Sequence, residues 1–144
     1  MISDKDVLNV PSRSTAIDDK VIVGNLEIEE LECLVSLVQR WNKAAFLVSP
    51  KDIERLWSRH VVDSLSLAPV VRRCGKEEGI LLDVGAGGGF PALPMKVVLP
   101  KLRVVLVERS FRRVSFLKTV VEALELKDVE IVHGEFPHAV RDRQ

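Results

Sequence analysis

At 144 residues the chain is long enough for one domain with a real core, and its 47% apolar and 29% charged composition is that of an ordinary globular protein. The 21 basic residues equal the 21 acidic ones, which excludes a chain-wide basic surface, so any nucleic-acid contact has to come from a local patch. Cys33 and Cys74 fit no metal-ligand spacing, the first ten residues lack a signal-peptide pattern, and no apolar run is of membrane-spanning length. The expectation is a reduced, cytoplasmic protein with no metal site and no membrane contact.

In chain order, residues 1–25 are polar, carry Pro11 and Gly24, and show no lasting period, as expected of a mobile N-terminal arm. Residues 26–78 read as a helical cap. Leu31, Leu34, Val35, Val38 and Trp41 recur at helical spacing from Glu29 and predict an amphipathic helix ending near Asn42 and Lys43. A second helical stretch opens at Pro50 with Ile53, Leu56 and Trp57 on one face. It continues, with a break, through Val61, Val62, Leu65 and Leu67 to a stop before Pro69. The charged stretch 70–79, with two glycines, is the candidate boundary.

From residue 79 the pattern alternates. Ile80–Val84, Arg103–Val107 and Val129–Val132 are short β-rich runs. Between them, Pro91–Val98 and Arg112–Leu124 have helical spacing, and a last helix begins near Glu135. Strand, helix, strand, helix, strand predicts an α/β fold with parallel pairing through crossover helices.

The most informative run is Asp83-Val84-Gly85-Ala86-Gly87-Gly88-Gly89-Phe90-Pro91, where a strand enters a glycine cluster and Pro91 suits the first turn of a helix. Glycines there admit a ligand to main-chain amides that a Cβ would block. The dinucleotide fingerprint needs a third glycine at position 90, which is Phe90, so a nicotinamide-dependent reductase is rejected. The run Asp-x-Gly-x-Gly-x-Gly resembles instead the first motif of class I S-adenosylmethionine-dependent methyltransferases. Glu108 follows the second strand 19 residues after Gly89, where a carboxylate accepts hydrogen bonds from ribose hydroxyls.

Four stretches together resemble one family, the bacterial small-subunit ribosomal RNA methyltransferase G family, also called GidB. They are Trp41-Asn42-Lys43, the run Arg59-His60-Val61-Val62-Asp63-Ser64-Leu65, the extended loop from Gly85 to Pro94, and the run from Glu108 to Leu117. The resemblance implies a helical cap followed by the first half of a Rossmann-like class I methyltransferase sheet, strand order 3-2-1 counted from Ile80–Val84. It implies S-adenosyl-L-methionine as cofactor, held by Asp83, Gly85, Ala86, Gly87, Gly89, Phe90, Glu108, Arg109, Ser110 and Glu135. It implies 16S ribosomal RNA, or the small ribosomal subunit, as partner and a guanine N7 as methyl acceptor. Arg59, Arg112 and Arg113 are its implied RNA contacts. Two alternatives stay open for these polar residues: Arg112 and Arg113 as a solvated helix face, and Arg59, His60 and Asp63 as ties between cap and sheet. His60 is not expected to be catalytic, and no catalytic residue is assigned.

Two local departures from the family pattern are Phe46-Leu47-Val48 after the Trp-Asn motif and a shortened run at His133-Gly134-Glu135-Phe136-Pro137. The later strands of such a domain are also missing, so residues 79–144 are expected to be a partial cofactor-binding domain. Strand Ile80–Val84 would then be an open edge, and a homodimer or a partner chain along it is expected. An alternative function follows: a catalytically inactive S-adenosylmethionine-binding or protein-interaction module.

Overall fold

The computed structural model describes residues 7–9 and 20–141, with side chains from residue 23 onward. Of the expected arm, strand β1 (Val7–Asn9) pairs antiparallel with β2 (Lys20–Ile22), a ladder that the lack of period did not announce. The other arm residues before Lys20 lie outside the described residues. Val23, just past β2, is buried.

Helix α1 (Asn25–Ala45) starts four residues before its apolar period does. Leu26 in that extra turn is exposed, so no stripe marks it, and Glu27 suits the positive end of the helix. Leu31, Leu34, Leu37 and Val38 are buried, and Trp41 tilts onto Phe116 with ring centroids 6.1 Å apart.

The second helical stretch is a chain of short pieces: a 3-10 turn (Ile53–Arg55), a π-helical segment (Leu56–Val61), α2 (Val62–Leu65) and α3 (Ala68–Arg73). The break falls after Leu65, and the expected stop before Pro69 is corrected. Pro69 lies in the first turn of α3, where its missing N–H leaves nothing unsatisfied. The helix therefore runs into the stretch that looked like a boundary.

Strands β3 (Ile80–Val84), β4 (Arg103–Glu108) and β5 (Val129–His133) form a parallel sheet with β4 in the middle. This is the expected 3-2-1 order of a half Rossmann-like sheet. Leu81 pairs with Val104 and Leu106 with Ile131. These side chains join α1, α4 (Ala92–Val98) and α5 (Phe111–Ala123) in one hydrophobic core that also takes Leu56, Val61 and Leu65 of the cap. Cap and sheet thus share a core. The sheet's other face is barely covered beside its edge: Ile80, Leu82 and Val84 are exposed. Helix α6 (His138–Arg141) packs beside β5.

Lys96 is the one buried lysine among the described residues. Its ammonium donates to the carbonyls of Pro100 (2.7 Å) and Leu102 (2.6 Å), tying the end of α4 to the start of β4. Burial holds its pKa below the usual lysine range, while Asp128 pulls the other way. Among the described residues, no helix is long and apolar enough to cross a membrane.

Candidate functional site

The loop after β3 is built around Glu108, which ends β4 next door. The Glu108 carboxylate is 3% exposed and accepts from the Gly87 amide at 2.9 Å and from the Ser110 amide at 2.9 Å. Two backbone donors therefore fix its orientation before any ligand arrives. The amides of Gly85 and Ala86 both donate to the Val107 carbonyl, which pins the loop to the tip of β4.

Gly85 has φ +74°, and a Cβ built on it meets nothing within 4 Å. The glycine is thus required by backbone shape, and the space beside it stays open. Gly89 is required for a different reason. At φ +83° a Cβ there would run into the Leu93 side chain, so the loop packs directly on the start of α4.

Asp83, the last but one residue of β3, keeps one carboxyl oxygen buried with no hydrogen-bond partner. Burial, and then the negative charge of Glu108, push its pKa up to about 6. An unpaired acid beside a second acid is unfavourable unless a donor or a cation completes it.

A cavity of about 280 Å³ opens at this end of the sheet, lined by Gly85, Glu108, Arg109, Arg113, Glu135 and Phe136 among others. Arg109 and Glu135 face each other across its rim at 3.5 Å, both well exposed. Of the expected cofactor contacts, Gly85, Glu108, Arg109 and Glu135 therefore share one cavity, and Gly87 and Ser110 are bonded to Glu108. Ala86 is buried under the loop, and Gly89 is packed against Leu93.

Phe90 is elsewhere. It lines a separate cavity of about 240 Å³ with Arg59, His60, Asp63, Ser64 and Pro91, and its ring lies 5.2 Å from that of His60. Arg59 pairs there with Asp52 at 3.3 Å, and His60 approaches the same carboxylate at 3.5 Å. A hydrogen bond from Ser49, followed by the Arg59 charge, holds the Asp52 carboxyl below the usual carboxylate range.

The two arginines of α5 turn toward the cap. Arg113 donates to the carbonyls of Ala45 (3.1 Å) and Phe46 (2.8 Å), and the exposed Arg112 reaches the Ala44 carbonyl at 3.3 Å. These are carbonyls at the C-terminus of α1, which have no partner within the helix. Ser110 caps α5 from the other side by accepting from the Arg113 amide.

The family model described as rRNA small subunit methyltransferase G matches residues 27–143. The chain belongs to the ribosomal RNA small-subunit methyltransferase G family. It is 34% identical over 128 residues to the ribosomal RNA small subunit methyltransferase G of Leuconostoc citreum, covering 88% of this chain and 54% of that protein. It is 38% identical over 124 residues to the protein of that name from Flavobacterium psychrophilum (81% and 58%), and 34% identical over 122 residues to that from Streptococcus pneumoniae (84% and 51%). The chain spans about half the length of these curated relatives. The match covers all four methyltransferase G motifs read from the sequence.

Sequence reasoning missed Asn42 as a site-building residue. Its Oδ1 accepts from the amides of Leu47 (2.8 Å) and Val48 (2.9 Å), folding residues 46–48 back over the end of α1. The available signal was Asn at a helix C-terminus ahead of residues that leave the helical period.

Proposed function

We propose that the chain is the cofactor-binding half of an S-adenosylmethionine-dependent methyltransferase of the guanine-N7 type, acting on 16S ribosomal RNA in the small ribosomal subunit and hence in the cytoplasm. The observation that carries this reading is the Glu108 carboxylate, buried and oriented by the Gly87 and Ser110 amides beside a glycine loop with open space at Gly85. The residues fit the group. Each Glu108 oxygen keeps a lone pair for a ribose hydroxyl. Asp83 has a buried oxygen in need of a donor, which suits the ammonium at the amino-acid end of the cofactor. Arg109, Glu135 and Phe136 edge the cavity that Glu108 lines and would border the base of the bound cofactor.

Bound there, S-adenosylmethionine supplies a methyl group on a positively charged sulfur. Guanine N7 is already a lone-pair nucleophile without a proton to lose, so this chain needs no general base. Its work is to hold donor and acceptor in line and to tolerate positive charge. We assign Arg59 and Arg112, both exposed, as cations available to RNA phosphates, and the binding they supply should weaken with salt.

A second reading is favoured by the exposed apolar side chains Ile80, Leu82 and Val84 of β3: a module that binds S-adenosylmethionine or a protein partner but transfers nothing. Calorimetric titration with S-adenosylhomocysteine, beside Glu108→Ala, tests the site. Binding that weakens by about 1–3 kcal/mol in the variant supports it, and no binding to the unaltered chain removes it. Methyl transfer to 16S ribosomal RNA, measured with the chain joined to the remaining half of a full-length relative, then separates the two readings.

A further inference from the structure

The turn that follows α1 is held from two directions. Asn42 accepts from the Leu47 and Val48 amides, and its own carbonyl accepts from the Phe46 amide at 2.9 Å. From across the cleft, the Arg113 guanidinium takes the Ala45 and Phe46 carbonyls. Phe46 is thereby kept in the left-handed region, at φ 52°, a conformation that a bulky side chain seldom adopts unaided. Phe46 is 71% exposed, so burial does not hold it there.

The turn lies beside the glycine loop. A Cβ added at Gly88 would lie 3.5 Å from both the Leu47 Cβ and the Leu47 carbonyl oxygen and 3.4 Å from the Phe90 ring, so Leu47 and Phe90 line the outer side of the loop about a methyl group away. Glu108 holds the inner side through the Gly87 amide. The loop is clasped between a carboxylate from the sheet and a turn from the cap.

We propose that Asn42 and Arg113 are positioning residues: together they latch the 46–48 turn onto Gly88 and so set the shape of the glycine loop. This gives Arg113 a role other than RNA contact, since its fork is committed to two carbonyls, and it rests on the cofactor reading of the loop. The two carbonyls are met by separate nitrogens, Nε for Ala45 and Nη2 for Phe46, held at a fixed spacing by the planar guanidinium that the single nitrogen of a lysine does not reproduce. A purely electrostatic role toward an anionic ligand group would survive replacement by lysine.

The test is amide hydrogen exchange on the ligand-free full chain, followed by titration with S-adenosylhomocysteine. Arg113→Ala and Asn42→Ala should each speed exchange about tenfold at Leu47 and Val48 and at the hydrogen-bonded Gly87 and Gly89 amides, with Val104 and Leu106 unchanged. Each should weaken S-adenosylhomocysteine about three- to tenfold, and the double variant should fall short of the product. Arg113→Lys should behave like the alanine variant, whereas Asn42→Asp, which keeps the acceptor oxygen, should restore slow exchange. Unchanged exchange at Gly87 and Gly89 in both alanine variants would overturn the latch. So would slow exchange throughout in Arg113→Lys, which remains decisive if an alanine variant fails to fold. If the unaltered chain binds no S-adenosylhomocysteine, the cofactor reading fails, and the exchange result still decides the latch by itself.

Discussion

At the scale of single residues, Asp83 and Glu108, two neighbouring acids at the ends of β3 and β4, stand in contrasting surroundings. Glu108 has both oxygens on backbone amides, whereas Asp83 has a buried oxygen with no partner and a pKa pushed up to about 6. A raised carboxyl pKa means the folded chain keeps a proton that the unfolded chain has lost. Between about pH 4 and pH 6 the ligand-free chain therefore loses stability as pH rises, and above about 6 the penalty is fully present. A ligand ammonium beside the ionised carboxyl reverses that penalty. S-adenosylhomocysteine should bind about tenfold more weakly at pH 5 than at pH 7, because only about a tenth of Asp83 is then ionised. Asp83→Asn should flatten this profile and weaken binding at pH 7, yet raise the melting temperature of the ligand-free chain at that pH. Titrations across pH 5 to 8, run beside thermal melts, check both signs. A wild-type profile with no slope would place Asp83 out of contact with the ligand.

At the scale of elements, the buried Lys96 ammonium ties the end of a helix to the start of the next strand. Replacing it with methionine keeps the apolar stem but leaves the Leu102 carbonyl, and in part that of Pro100, without a donor. The loss should be about 2–3 kcal/mol in urea unfolding. A change within about 0.5 kcal/mol, the usual range for a surface substitution, would mean that water serves those carbonyls equally well. Nothing in the sequence around Lys96 marks it, since a lysine near a helix end reads as solvated. The parallel strands and the glycine loop were legible because short-range chemistry decides them: β-branched runs, a glycine cluster and an acid at fixed spacing. The pieces of the cap between residues 53 and 73 were less so. There Pro69 fits equally well as a stop or as the first turn of a helix, and only tertiary packing chooses. The same holds for Arg112 and Arg113, whose partners lie at the end of a helix 67 or 68 residues away. Phe90 lay in the right motif, but its ring turns to His60 rather than to Glu108. The direction of a side chain leaving a glycine loop is set by the cap, which no local pattern encodes.

At the scale of the whole molecule, among the described residues no strand pairs with the outer side of β3. Ile80, Leu82 and Val84 stand exposed on one face of it, at 63%, 44% and 51%. Such an edge offers free backbone donors and acceptors beside apolar side chains, a combination that favours pairing. The strand is also complementary to itself. In an antiparallel pairing of two copies about a two-fold axis at Leu82, Leu82 meets its own copy and Ile80 meets Val84, all on the same face. The two three-stranded sheets then become one of six strands with a continuous apolar stripe. The six apolar side chains that meet carry no charge to oppose this. We expect the chain to dimerise in solution through β3, and Leu82→Lys, which sets two ammonium groups opposite each other across the axis, to return it to a monomer. Light scattering on both proteins over a range of concentrations decides the matter. A monodisperse unaltered monomer would mean that the stripe alone does not drive self-association, and an unaltered dimer that survives Leu82→Lys would move the interface away from β3. In the second reading of function this edge is the interaction surface. In the first, a polypeptide that takes the place of the second copy would compete with the dimer, so adding it should dissociate the pair.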